Sequence, residues 1–157
     1  MKRIEAEIRE AKIEDLDTLK IFEQELIQYE RPFDGNLKND PIAYYNLTNL
    51  IQREDAHIIV ATINGEITGS GYALIKNSKP YRNPKQYAYL GFMYVIPKFR
   101  GYGLNGKIID HLIDWAKTRN LSEIQLDVYA ENESAVNAYK KRGFKADVLK
   151  MRINNEA

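Results

Sequence analysis

An apolar run from Tyr87 to Ile96 stops at Pro97, and a glycine-rich turn follows it. From Gly101 to Thr118 the residues Leu104, Ile108, Ile109, Leu112, Ile113 and Ala116 recur at helical spacing, with Trp115 at the border of the stripe. A β-type run, Ile124 to Tyr129, comes next. Strand, amphipathic helix and strand in this order predict a βαβ unit, which pairs its two strands in parallel. Few folds accept such a unit beside the different pattern that precedes it. Ile4, Ala6 and Ile8 alternate with charged residues as a short strand does, and Asp15 opens a helix carrying Leu16, Leu19, Phe22 and Leu26. Tyr29 to Asn39, with Pro32 and Gly35, reads as a loop, and Pro41 opens a second helix through Ile51. His57 to Ile63 and Ile67 to Ile75 are strands joined at Asn64-Gly65, a hairpin turn because both positions tolerate positive φ. With Tyr87 to Ile96 they predict three consecutive antiparallel strands. Asn132 to Arg142 is a helix stopped at Gly143, and Phe144 to Ile153 a final strand. The fold class is a mixed α/β sheet.

No repeat, low-complexity tract or Pro/Ser-rich linker marks a boundary, so residues 1–157 are expected to form a single domain. The formal charge of +1, from 23 basic and 22 acidic residues, gives no global field of the kind a dedicated nucleic-acid binder carries. The absence of cysteine removes disulfides, thiolate zinc sites and a cysteine acyl-enzyme. His57 and His111 have no metal-ligand spacing, and no metal site is expected. Met1 to Glu10 lacks the apolar run of a signal peptide or membrane helix, so no membrane partner and a cytoplasmic location are expected.

Gly101-Tyr102-Gly103-Leu104-Asn105-Gly106 has the letters of a dinucleotide fingerprint, and Asp127 lies near the distance at which a ribose-binding acid is wanted. In that fold the first glycine follows the strand almost directly. Here Pro97-Lys98-Phe99-Arg100 intervenes, and the remaining chain is too short to complete the nicotinamide-binding architecture. Glycines still let a backbone approach an anion, and a helix N-terminus points free amides at it, so the turn suits a pyrophosphate with Arg100 as a fixed charge at its mouth. The alternative is a tight strand-to-helix turn with a solvated arginine.

The next helix carries Asn132, Ala135 and Tyr139 on one face, followed by Gly143-Phe144. Val95-x-Pro97-x-Phe99-Arg100-Gly101-x-Gly103-Leu104 together with Asn132-x-x-Ala135-x-x-x-Tyr139-x-x-x-Gly143-Phe144 resembles the cofactor half of the GNAT superfamily of acyl-CoA-dependent N-acetyltransferases. The resemblance is specific from Tyr87 to Phe144; earlier it rests on element order. It implies a mostly antiparallel sheet with helices on both faces and a parallel βαβ cofactor-binding unit. It further implies acetyl-CoA or coenzyme A as cofactor, its pyrophosphate held by Arg100, Gly101, Tyr102, Gly103, Leu104, Asn105 and Gly106. The pantetheine arm would pair with Met93, Tyr94 and Val95 and touch Asn132 and Ala135, and Tyr139 would stand beside the sulfur. Two departures stand out: Asn105 replaces the last small residue of the loop, with Gly106 one place later, and Tyr89-Leu90-Gly91-Phe92-Met93-Tyr94 lacks the glutamate base many relatives carry. Leu126-Asp127-Val128-Tyr129-Ala130-x-Asn132 resembles the branch that acetylates the N-terminal amine of a ribosomal protein, with Asp127 where that branch has a glutamate.

Asp127 is therefore the first candidate base, one methylene short and suited to a bridging water, or else an ordinary strand carboxylate. Glu25, Glu30 and Asp34 are the reserves, or an acidic patch that attracts a cationic amine, or a solvated face. The acceptor is expected to be a primary amine, small or peptidic. An α-amino group, with a reference pKa of about 7.7 to 8.0, needs a weaker base than a lysine amine at about 10.4. Without cysteine the acyl group is expected to pass directly in a ternary complex. Tyr139, with a reference pKa near 10 against about 8.5 for a thiol, is expected to hydrogen-bond the departing thiolate. The rival is an acyl-CoA-binding sensor or interaction module that lost its base. Tyr44, Tyr45, Tyr81 and Tyr87 line either an acceptor pocket or a homodimer contact. Gly69-Ser70-Gly71 lies inside one strand and is not a nucleophile elbow. The basic segment Lys76 to Lys85 meets cofactor phosphates or an acidic substrate, or is a solvated loop.

Overall fold

The computed structural model describes residues 4–156; what was read at Met1 to Arg3 lies outside them. The chain forms two compact units, residues 1–127 and 128–157.

The first unit is built on a five-stranded sheet in sequence order. Its strands are β1 (Glu7–Glu10), β2 (Ala56–Ile63), β3 (Glu66–Asn77), β4 (Gln86–Val95) and β5 (Ile124–Leu126). The first four pair antiparallel, and β4 pairs β5 in parallel through Ala88↔Ile124, Tyr89↔Gln125 and Leu90↔Leu126. The mixed sheet with a parallel unit is thus as the sequence predicts, and Asn64 (φ 50) with Gly65 (φ 81) makes the expected hairpin turn.

Helix α1 (Leu16–Glu30) starts after a short 3-10 turn held by Asp15, whose carboxylate accepts from Arg9 (2.8 and 3.0 Å) and from the Lys12 N–H (2.8 Å). Its apolar stripe, Leu19, Phe22, Leu26 and Ile27, is buried, and so is Glu23. The second helix is shorter than expected: α2 spans Leu47–Gln52, not residues 41–51. Glu23 is the reason. Its Oε2 accepts the N–H groups of both Tyr44 (2.9 Å) and Tyr45 (2.8 Å), which holds that segment out of a helix until Asn46 caps α2. Phe22, Leu26, Leu47 and Leu50 pack with Ile58, Val60, Tyr72, Phe92 and Tyr94 on one face of the sheet. Helix α3 (Leu104–Thr118) covers the other face, where fully buried Ile108, Ile109 and Leu112 each contribute about 1.5–3 kcal/mol by leaving water. It lies very close to the sheet. A Cβ at Gly71 would come 2.7 Å from Ile108 Cγ2 and 3.0 Å from Met93 Sδ.

Strand β4 carries a bulge. Its register against β3 shifts between Ser70 and Tyr72, and Phe92 adopts φ 55 there. The buried Ser70 hydroxyl donates to the Phe92 carbonyl at 3.0 Å and pins the irregularity.

In the second unit Asn132 caps α4 (Glu133–Lys141), its side chain accepting from the Ala135 N–H at 3.4 Å. Gly143 (φ 97) ends the helix, and the Phe144 N–H returns to the Tyr139 carbonyl at 3.1 Å. The expected final strand, Phe144 to Ile153, is not formed. Residues 144–156 join no ladder, and Val148, Leu149, Met151 and Ile153 are exposed. A β-type pattern becomes a strand only where a partner satisfies its backbone, and the second unit by itself, with one helix, supplies none. The strand expected over Ile124 to Tyr129 likewise keeps only the three residues that pair with β4.

Candidate active site

Among the strands of the first unit, parallel pairing between β4 and β5 ends at Leu90↔Leu126, and from Gly91 onward β4 pairs with β3 alone. The Ile96 N–H donates to the Thr68 carbonyl at 2.9 Å, and antiparallel alternation therefore turns the peptide groups of Tyr94 toward β3 and those of Met93 and Val95 toward the parted side. One is already taken: Arg100 Nε donates to the Val95 carbonyl at 2.8 Å.

Beyond the strand, Pro97 to Phe99 makes one 3-10 turn and the chain enters α3 through Gly101 (φ 86) and Gly103 (φ 80). A side chain there would pay left-handed strain of about 1–2 kcal/mol. A Cβ at either glycine would meet nothing within 4 Å, so the space over the turn is open. Gly103 occupies the N-cap and no side chain caps α3, which leaves the amides of its first turn, from Leu104 to Gly106, without an intrahelical acceptor. Leu104 is buried and anchors the turn from beneath.

The Arg100 side chain is engaged with β4 and α1. Its guanidinium lies 5.7 Å from the Tyr29 ring centroid and 5.5 Å from that of Tyr94, and it hydrogen-bonds the Tyr94 hydroxyl. That hydroxyl in turn donates to Glu25. Burial, and then the Glu25 carboxylate, push the Tyr94 phenol up to about 12 against the pull of Arg100. These residues border a groove of about 710 Å³ with Gln24 and Gln28 of α1.

Asp127 follows the last paired residue of β5, at the fork where the strands part. Tyr89 donates its hydroxyl to Asp127 Oδ2 at 2.9 Å, and Lys76 Nζ sits 3.9 Å from the centroid of the Tyr89 ring. Burial, then the Asp127 charge, raise the Tyr72 and Tyr89 phenols above their ordinary range. Tyr45 continues the cluster, its ring centroid 5.5 Å from Tyr72, 5.2 Å from Phe92 and 5.7 Å from Tyr44. Glu30 reaches the same cluster. Burial raises its pKa, a Tyr44 hydrogen bond opposes that, and the Asp34 charge adds to it. Asp34 itself accepts from the Asn36 N–H at 3.0 Å. The three acids proposed from sequence thus divide: Glu25 belongs to the Tyr94–Arg100 network, and Glu30 with Asp34 to the tyrosine cluster.

In the second unit Asn132 is buried and spends its carbonyl oxygen on capping α4. Ala135 lies in the first turn, and Tyr139 packs its ring 5.9 Å from Phe144.

A family model described as the acetyltransferase (GNAT) family matches residues 20–144. The chain belongs to the GNAT acetyltransferase family. Its curated relatives include thialysine N-epsilon-acetyltransferase of Sus scrofa, 33% identical over 145 residues, 87% of this chain and 82% of that one. N-alpha-acetyltransferase 30 of Saccharomyces cerevisiae is 34% identical over 65 residues, 41% of this chain. The chain spans only 37% and 42% of the length of the first two curated relatives it matches. Among solved structures, a predicted acetyltransferase with acetyl-CoA from Clostridium acetobutylicum superposes with a TM-score of 0.74 at 20% identity, covering 96% of each chain.

The open glycine cradle, the uncapped first turn of α3 and the parted edge of β4 fit the pyrophosphate and pantetheine of coenzyme A in this GNAT chain. Sequence reading missed three supporting residues, Tyr89, Ser70 and Tyr29. Tyr87 and Tyr89 alternate on β4, which signals a shared face, but only the strand register brings Tyr89 to Asp127. No helix among the described residues is long and apolar enough to cross a membrane.

Proposed function

We propose that this GNAT chain transfers an acetyl group from acetyl-CoA to a primary amine by direct attack in a ternary complex. The observation that carries the reading is the fork: β4 parts from β5 one residue before Asp127, and beyond it the same strand leads into the open glycine turn. Acetyl-CoA, when bound, would supply the activated thioester and leave as coenzyme A. The amides from Leu104 to Gly106 hold the pyrophosphate, and the Met93 peptide groups with the Val95 N–H orient the arm, the Val95 carbonyl being bonded to Arg100. Asp127 takes a proton from the amine, directly or through one water, as the N–C bond forms and the C–S bond breaks. Tyr89, by donating to Asp127, fixes its rotamer and leaves one carboxylate oxygen for the amine. Tyr139 donates a hydrogen bond to the departing thiolate, a role that rests on the family motif. Tyr44, Tyr45, Tyr72 and Glu30 form the acceptor wall, which suits a cationic amine before it is deprotonated. Direct attack requires both substrates to be bound before any product leaves, in keeping with the absence of a cysteine to carry the acyl group.

Calorimetric titration with acetyl-CoA, followed by thiol release across an amine panel, tests this. Asp127→Asn is expected to bind acetyl-CoA normally and lose about 100-fold in kcat. Tyr139→Phe is expected to lose tenfold or more with the same binding, a step within the ordinary range for proton-handling groups. Full turnover by either variant removes that residue from the mechanism. Tight binding with no turnover of any amine leaves an acyl-CoA sensor instead.

A further inference from the structure

One face of β3, β4 and β5 forms a strip leading away from the fork. Side-chain alternation puts Tyr72, Leu74 and Lys76 of β3 on it with Tyr87 and Tyr89 of β4 and Gln125 of β5, all half-buried except Tyr72, which is buried. The strip ends at the turn between β3 and β4. That turn is ordered by backbone bonds, Ser78 N–H to Lys85 carbonyl (2.8 Å) and Arg82 N–H to Lys79 carbonyl (2.9 Å). It exposes Lys79, Arg82 and Lys85 around Tyr81, whose side chain is 80% exposed. No acid occurs from residue 76 to 85, and none of these three cations forms an ion pair among the described residues. Of the acids on adjoining segments, Asp55 is paired with Arg53 at 2.7 Å, whereas Glu123 accepts from the neutral Gln125 amide at 3.1 Å and keeps its charge. The turn itself therefore presents Lys79, Arg82 and Lys85 with no acid in its own segment.

Distance separates this charge from the cofactor. From Gln86 to Val95 the strand advances roughly 30 Å at about 3.3 Å per residue, so the turn lies at the opposite end of β4 from the glycine cradle. From Gly91, level with the fork, to Gln86 is about 17 Å on the same rise. An extended peptide advances about 3.3–3.6 Å per residue, so one whose terminal nitrogen sits at Asp127 reaches Lys76 near its fourth residue and the turn from its fifth.

We propose that this strip is the docking track for a peptide acceptor, and that Lys76, Lys79, Arg82 and Lys85 select peptides with acidic residues from about the fourth position after the acetylated amine to the eighth. The inference rests on the reading of the fork as the site of acetyl transfer. Tyr87 and Tyr89 give the peptide backbone an apolar floor with hydrogen-bonding edges, and the cations supply the selection.

The test uses three fluorescent decapeptides with the same first three residues, carrying glutamate, serine or lysine at positions five to seven. Their binding is measured by anisotropy and their acetylation by thiol release, with a small primary amine too short to reach the turn as control. The glutamate peptide is expected to bind about tenfold tighter than the lysine peptide at low salt, in keeping with three exposed charge pairs, and the gap should close as salt rises. In Lys79→Glu/Arg82→Glu/Lys85→Glu the order should reverse through KM, with kcat on the small amine unchanged. Equal affinity for the three peptides, or an unaltered order in the variant, overturns the inference while acetyl transfer to the small amine keeps the proposed function. Selective binding of the glutamate peptide without acetylation of any amine does the reverse, and keeps the track as a peptide-binding surface.

Discussion

Gly71 offers the sharpest test of how α3 is seated. In Gly71→Ala the new Cβ would stand 2.7 Å from Ile108 Cγ2, 3.0 Å from Met93 Sδ and 3.2 Å from Leu112 Cδ1. The methionine and leucine contacts are with the outer part of flexible side chains and can yield. Ile108 Cγ2 cannot, because it is attached to the Cβ of a fully buried, branched residue whose rotamer is fixed by the helix. Restoring an ordinary separation of about 3.5–4 Å requires α3 to lift from the sheet by about 1 Å. Overpacking of this kind costs about 1–3 kcal/mol, and at about 2–4 °C per kcal/mol for a chain of this length the Tm should fall by roughly 2–12 °C. The same movement carries the first turn of α3, so acetyl-CoA affinity should drop as well. Gly103→Ala provides the contrast, since it meets no atom within 4 Å and its cost is confined to the left-handed backbone of the turn. It should weaken acetyl-CoA with a smaller change in Tm. Differential scanning fluorimetry and calorimetric titration read both effects. A Gly71→Ala protein whose Tm lies within about a degree of the parent would refute the close seating of α3.

Ser70→Ala leaves the Phe92 carbonyl without its buried donor and should cost about 1–3 kcal/mol in urea unfolding; no change would show that the bulge holds without it. The half-buried His57 ring stacks on Trp115 (5.3 Å between centroids), its Nε2 is 3.3 Å from that of His111, and the Arg119 guanidinium lies 5.0 Å from the Trp115 ring centroid. Burial first, then His111 and Arg119, lower the His57 pKa, and Glu10 only partly opposes them. The folded protein thus binds this proton less readily than the unfolded chain. Its stabilising contribution is complete above the unfolded value of about 6.5 and is lost as pH falls through the lower folded value. Urea midpoints between pH 5 and 7 should fall toward acid, and less steeply in His57→Gln; equal slopes would exclude His57 as the titrating group.

Much of this architecture is legible in the sequence because local signals and tertiary demands agree there. Asn64-Gly65 sets its hairpin by backbone preference alone, and the stripe of α3 needs only a sheet to bury it. Where distant residues intervene, the reading fails. Residues 41–46 look helical, yet the carboxylate of Glu23, about twenty residues upstream, claims two of their amides. Phe144 to Ile153 has strand composition but no ladder within its own unit, and composition cannot supply a partner. The glycine turn is recognisable from spacing, whereas the orientation of Arg100 toward Val95, Tyr29 and Tyr94 depends on how α1 crosses the sheet. Glu25 and Glu30 look like one acidic patch until the helix directs them to different neighbours.

The bulge at Phe92 also settles a question of parity. Tyr89 and Tyr94 are five positions apart, an odd number, and on a regular strand odd separations point to opposite faces. Both nevertheless lie on the side covered by α1 and α2, because the extra residue resets the count midway along β4. One strand can therefore present Tyr89 and Tyr94 to the same side, while Met93 still reaches the helix on the other. Deleting Phe92 would not simply shorten β4. It would put the two halves of the site out of phase, so that keeping either tyrosine in place would turn the other through the sheet toward α3.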